Sequence, residues 1–142
     1  MKVKQSGQAM RELQNVPKFD RPRLFSALEI LQYDDRPAGI IEGLDVDSRP
    51  IDILSIYWPR PYRLKLNNPK SDYRIIYFPD KVHNVVYVIT VRHRSRAYPI
   101  SIKDIKTMED VIKYIKDVIK LRSEIKVIMD DYRQNRRWED GC

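Results

Sequence analysis

Between Tyr62 and Tyr98 the chain carries eight lysines and arginines against two acidic residues, a local balance of +6 within a whole-chain net charge of +7. The 61 residues before this block balance nine cations against nine carboxylates, and the 44 after it balance ten against nine. Charge held in one short block describes a basic face, and a basic face attracts phosphate. The cations Arg63, Lys65, Arg74, Arg92, Arg94 and Arg96 stand among Tyr62, Tyr73, Tyr77, Tyr87 and Tyr98 in alternating, strand-like sequence. Such a set can grip a nucleic-acid backbone, stabilise charge that develops on a phosphoryl group, and stack on a base. RNA or DNA is therefore the first partner to consider. Taken singly, each arginine is equally explained as a solvated side chain on the open face of a sheet. The set is what points to an anion, because cations held close together repel unless an anion shares the site.

The residues that are missing narrow the chemistry. There are two histidines, His83 and His93, and one cysteine, Cys142, which has no second thiol for an internal disulfide and cannot make a zinc site alone. No HExxH, paired metal carboxylates, Walker loop or nucleophile elbow is present, and four glycines in all leave no glycine-rich phosphate cradle. The expectation is no cofactor and no metal. A nuclease built on this block works with Arg and Lys as its electrostatic stabilisers, and RNA suits it because the 2′-hydroxyl is a built-in nucleophile. The lone cysteine fits a reducing compartment, the N-terminus lacks a signal-like apolar run, and no segment approaches membrane-spanning length. A soluble cytoplasmic protein is expected.

These residues need elements to position them. Residues 2–5 suit a short edge strand. Ala9, Met10, Leu13 and Val16 have helical spacing up to Pro17, and Leu24, Phe25, Leu28 and Leu31 repeat it after an Asp20 N-cap and Pro22. Asp34–Gly39 breaks the pattern, and residues 40–61 read as a long irregular connection. Within it Ile51–Trp58 is β-prone but confined by Pro50, Pro59 and Pro61 to an edge or an irregular connection. Tyr62–Leu66, Tyr73–Phe78 and Val85–Arg94 read as three antiparallel strands joined by short polar turns. Period-two geometry puts Arg63 with Lys65 on one face, and Arg92 and Arg94 on one face with Val86, Val88 and Thr90. Val85, Tyr87, Ile89, Val91 and His93 fall opposite. A capping pair, Thr107 and Asp110, opens a helix to about Arg136. Its stripe of Val111, Ile115, Val118, Ile125 and Met129 must be covered, either within the chain or by a homodimer, with Arg122 interrupting the seam.

The run Tyr62-Arg-Leu-Lys-Leu66, then Tyr73-Arg-Ile-Ile-Tyr77, Val85 to Val91, and His93-Arg94 with Tyr98 resembles the core of the RelE/ParE toxin superfamily. The resemblance implies an α+β fold with two N-terminal helices packed on a mainly antiparallel sheet. To this the chain adds a long C-terminal helix, giving a toxin-like domain over 1–98 and a helical extension over 99–142. That extension has three readings: a cover for the site, a dimer contact or a built-in regulator. RelE-type relatives are ribosome-dependent endoribonucleases neutralised by an antitoxin. By motif position the resemblance implies Lys65, Arg74, Arg94 and Tyr98 as catalytic residues with Arg63 beside them, and Arg63 is expected to bind RNA together with Arg92, His93 and Arg96 of the basic block. Lys65 removes the 2′-hydroxyl proton, Arg74 and Arg94 hold the scissile phosphate, and Tyr98 orients a base. The partners implied are mRNA, on the ribosome, and a cognate antitoxin. The alternative on the same scaffold is a non-catalytic ParE-like inhibitor of DNA gyrase, or an RNA- or protein-binding module.

Overall fold

Along the chain the elements run β1 (Lys2–Gln5), α1 (Gly7–Asn15), α2 (Arg21–Leu31), β2 (Ala38–Ile41), β3 (Leu44–Pro50), β4 (Tyr62–Asn68), β5 (Lys70–Asp80), β6 (Val85–His93), α3 (Arg94–Ala97) and α4 (Met108–Asp140). The computed structural model describes residues 1–41, 43–51, 60–68, 70–99 and 101–140, and the side chains of all of these but 68 and 136–140. Most of the Ile51–Trp58 segment expected as an edge or an irregular connection lies outside them. The chain divides into two compact units, Met1–Arg94 and Ser95–Cys142. The fold is α+β.

In the first unit six strands form one sheet in the order β1-β6-β5-β4-β3-β2. Every pairing is antiparallel except β1 with β6. Helices α1 and α2 cover one face. Ala9, Leu13, Leu24, Leu28 and Leu31 form one buried cluster with Leu64, Leu66, Ile75, Tyr77, Val86, Val88 and Val91. Burying a leucine-sized side chain contributes about 1.5–3 kcal/mol, so this layer holds the two helices to the sheet. Ser6 fastens the first of them. Its hydroxyl accepts from Ala9 N (2.9 Å) as the N-cap and donates to Ile89 O (2.6 Å).

Two expectations change. Strands β2 and β3 lie where an irregular connection was expected. They form a hairpin in which Gly43 takes φ +87°, a conformation that side chains resist. Asp20 does not cap α2 with its side chain; it accepts from Ser71 Oγ (2.9 Å) and so ties the helix start to β5.

Tyr77 locks the added strand in place. Its hydroxyl donates to Asp35 O (2.7 Å) and meets Ser48 Oγ of β3, while its ring stacks on Tyr62 at 5.9 Å. Burial, which the Ser48 bond opposes, pushes the Tyr77 hydroxyl well above the ordinary tyrosine range. A raised value means that its contribution is intact below the unfolded value near pH 10 and is lost as pH climbs towards the folded one. We expect Tyr77→Phe to lower stability by about 1–2 kcal/mol at neutral pH and to flatten the fall in stability above about pH 10. Urea titrations at a series of alkaline pH values measure both.

In the second unit a single 3-10 turn at Ile102–Asp104 precedes α4. The expected capping pair is present: Asp110 N donates to Thr107 Oγ1 (3.2 Å), and Asp110 Oδ2 accepts from Lys106 N and Thr107 N. Those bonds, the one from Lys106 foremost, hold the Asp110 carboxyl below its usual range. Part of the expected stripe is covered within the chain. Ile125 and Met129 are buried, joined by Leu121 and Tyr132, but Ile115 is 49% exposed and Val111 and Val118 are only half-buried.

Candidate nucleic-acid interface

Strand alternation sends the residues between the core positions to the other side of the sheet, away from α1 and α2. On β4 these are Arg63 and Lys65, flanking the core residue Leu64. Register then aligns them with their neighbours. Lys65 stands opposite Arg74 of β5, and Arg74 stands opposite Arg92 of β6. On the other side Lys65 stands opposite Asp47 of β3, and Arg63 opposite Arg49. The result is a transverse row, Asp47–Lys65–Arg74–Arg92, across four strands, with Arg63 and Arg49 beside it.

Period-two reading of β6 does not survive intact. The pairing passes from Ile76 with Thr90 to Tyr77 with Val88, which leaves Ile89 as an extra residue. The bulge reverses the alternation, so Val86, Val88 and Val91 all join the helix-side core while Arg92 lies on the opposite face. Val86 and Val88 therefore do not share a face with Arg92 as expected. Nor does Arg94, which opens α3 instead of ending the strand.

The row is only partly open to solvent. Arg74 is 3% exposed and Arg92 5%, whereas Lys65 and Arg63 are half-buried. Two unit charges about 5 Å apart repel by about 3 kcal/mol at an effective dielectric near 20, so the row needs compensation. Arg74 Nη1 donates to Ser71 O (2.8 Å) and Tyr73 O (3.2 Å). Arg92 Nε donates to Thr90 Oγ1 (3.2 Å), and that hydroxyl donates to Glu12 Oε1 (2.7 Å), which also accepts from Val91 N (3.1 Å). Asp47 Oδ2 pairs with Arg49 Nε at 2.8 Å.

The remaining expected residues lie outside this row. His93 stands opposite Tyr73 and packs against its ring edge-on, with centroids 5.5 Å apart, so it is outside the row. Arg94 Nε lies 3.5 Å from Asp72 Oδ1, both side chains about half exposed. Arg96 and Tyr98, both exposed, belong to the second unit. Three participants were missed by sequence reasoning. Asp47 and Arg49 follow from the alternation Leu44-Asp45-Val46-Asp47-Ser48-Arg49. Glu12 was signalled by its place on the inward side of α1, three residues after Ala9 and four before Val16.

No protein-family model matches the chain, and no curated protein matches it by sequence. Three solved structures are similar to parts of it. The RelE–RelB complex of the archaeon Pyrococcus horikoshii OT3 is 25% identical with a TM-score of 0.46, covering 68% of this chain and 97% of that one. The free toxin RelE of E. coli, in a mutant form, is 15% identical with a TM-score of 0.40, covering 81% and 94%. The toxin–antitoxin complex RelBE2 of Mycobacterium tuberculosis is 21% identical with a TM-score of 0.39, covering 66% and 96%. At these scores that likeness assigns no chemistry. Among the described residues no helix is long and apolar enough to cross a membrane, and no group of three or more His, Cys, Asp or Glu could hold a metal ion.

Proposed function

We propose that this protein is an RNA endonuclease and acts as the toxin of a toxin–antitoxin pair in the cytoplasm, with mRNA on the ribosome as substrate and a cognate antitoxin as its inhibitor. The observation that carries the reading is the alignment of Lys65, Arg74 and Arg92 in one row on the face that α1 and α2 leave uncovered. In this reading the RNA 2′ oxygen attacks phosphorus while the bond to the 5′ oxygen breaks and that oxygen takes a proton from water, leaving a 2′,3′-cyclic phosphate and a 5′-hydroxyl. Lys65 draws off the 2′-hydroxyl proton, Arg74 and Arg94 hold the phosphate, and Tyr98 orients a base. Arg63, Arg92, Arg96 and His93 bind the flanking backbone. The reaction needs neither cofactor nor metal.

Induced expression of the wild type and of Arg94→Ala tests it. The wild type arrests growth and yields new transcript ends by primer extension, and the variant yields neither. Binding to RNA is expected to weaken steeply with salt, because each phosphate contact releases condensed counterions. For single-stranded RNA three to five contacts give a log–log slope of about −2 to −3.5. A flat salt dependence in a filter-binding titration turns the assignment towards a protein partner.

The burial of Arg74 and Arg92 favours a second reading, in which these two guanidinium groups brace the sheet and the face binds a partner without cleaving it. A gyrase-directed inhibitor is the version that expression would reveal, through DNA-damage signalling with intact transcripts.

A further inference from the structure

Helix α4 leaves one apolar row in the open. Met108 is 72% exposed, Ile112 47%, Ile115 49% and Ile119 57%. Their spacing of four, three and four residues places them on one stripe of the helix. This stripe differs from the buried one at Leu121, Ile125, Met129 and Tyr132. Isolated exposed apolar residues are ordinary, but three isoleucines and a methionine in register form a surface that monomers rarely keep.

We infer that this stripe is the contact between two copies of the chain, which pair through their α4 helices in antiparallel orientation. The charges beside the stripe choose the occupant and its direction. At 100° per residue, Glu109, Lys116 and Lys120 lie along one border, and Val111 and Val118 along the other. A two-fold axis passing between Lys113 and Tyr114 sets Met108 against the partner's Ile119 and Ile112 against the partner's Ile115. The same operation brings each border against its own copy. Glu109 then falls between the partner's Lys116 and the partner's Lys120, twice over, and the valines meet valines. A parallel pair instead sets Glu109 and Lys116 against Val111 and Val118, which desolvates charges without a counter-charge. Among the described residues none of Glu109, Lys116 and Lys120 is engaged in an ion pair within the chain, whereas Lys113 pairs with Asp117.

The stripe ends at Arg122, so the contact spans Met108 to Ile119, about 17 Å of helix. That is less area than a standard stable interface buries, and it sets a dissociation constant in the micromolar range.

Sedimentation velocity on the full chain, from low to high micromolar concentration, is the test, with circular dichroism confirming that each variant is folded. The wild type is expected to pass from one chain mass to two as concentration rises, and Ile115→Glu to stay monomeric throughout. Glu109→Lys alone, and Lys116→Glu with Lys120→Glu, should each weaken the dimer about tenfold or more, since each turns attraction into repulsion. Mixing these two charge variants restores the dimer, because the mixed pair has opposite charges at both contacts. A wild type that remains monomeric at every concentration, including one that binds vesicles of anionic phospholipid instead, overturns the inference. So does a dimer indifferent to Ile115→Glu, or a mixture of the charge variants that fails to associate.

Discussion

Lys65→Ala is expected to lose about 10²- to 10³-fold in RNA cleavage rate while its urea midpoint stays close to that of the wild type. The separation of the two effects follows from where the side chain stands. Lys65 is half-buried at the centre of β4, with Arg74 opposite on one side and Asp47 on the other. Removing it leaves the core residues Leu64 and Leu66 on its two sides in place, so folding has little to lose. A reaction that needs a proton acceptor beside the 2′-hydroxyl has much to lose. Arg94→Ala should behave in the same way, because its pair with Asp72 is half exposed and such pairs contribute about 0–1 kcal/mol. Arg74→Ala is the contrast. It deletes a buried side chain whose Nη1 bonds two carbonyls, so stability and activity fall together. A defined transcript, incubated with each purified variant with and without ribosomes, gives the rates, and urea unfolding gives the stabilities. Undiminished cleavage by folded Lys65→Ala removes that residue from the mechanism.

Glu12→Ala should destabilise the protein by about 2–4 kcal/mol. One oxygen of Glu12 receives both the Thr90 hydroxyl and the Val91 N–H. Those donors belong to the stretch of β6 beyond its pairing with β1, which ends at Val88. Alanine leaves two donors without their acceptor beyond the end of the β1 pairing, and it also deprives Arg92 of the fixed hydroxyl that receives its Nε. Glu12→Gln keeps an acceptor oxygen and is expected to recover more than half of the loss. Unfolding free energies of the two variants, read beside the RNA affinity of each, distinguish an edge brace from a general electrostatic effect. Equal stability of Glu12→Ala and the wild type would sink the idea.

The antiparallel β4–β5–β6 succession, the two helices before it and the cap of α4 were all legible in the sequence. Each rests on contacts between near neighbours: alternation at Tyr62–Leu66, the Ala9–Leu13–Val16 spacing, and Thr107 three residues before Asp110. The cations too were legible as a set, since charge density requires only a count. What the sequence did not disclose is register. Nothing local states that Lys65 aligns with Arg74 and Arg74 with Arg92, because that alignment is set by pairing across residues far apart in the chain. The extra residue at Ile89 shows the consequence. It carries Val91 into the core with Val86 and Val88, and one such bulge reverses every assignment of face beyond it. Burial of Arg74 and Arg92, the bond of Glu12 to Thr90, and the choice of which α4 stripe stays open belong to the same class. They depend on which surfaces the assembled fold places together, and a side chain's partners across the fold are decided by packing that no periodicity along one strand or helix contains.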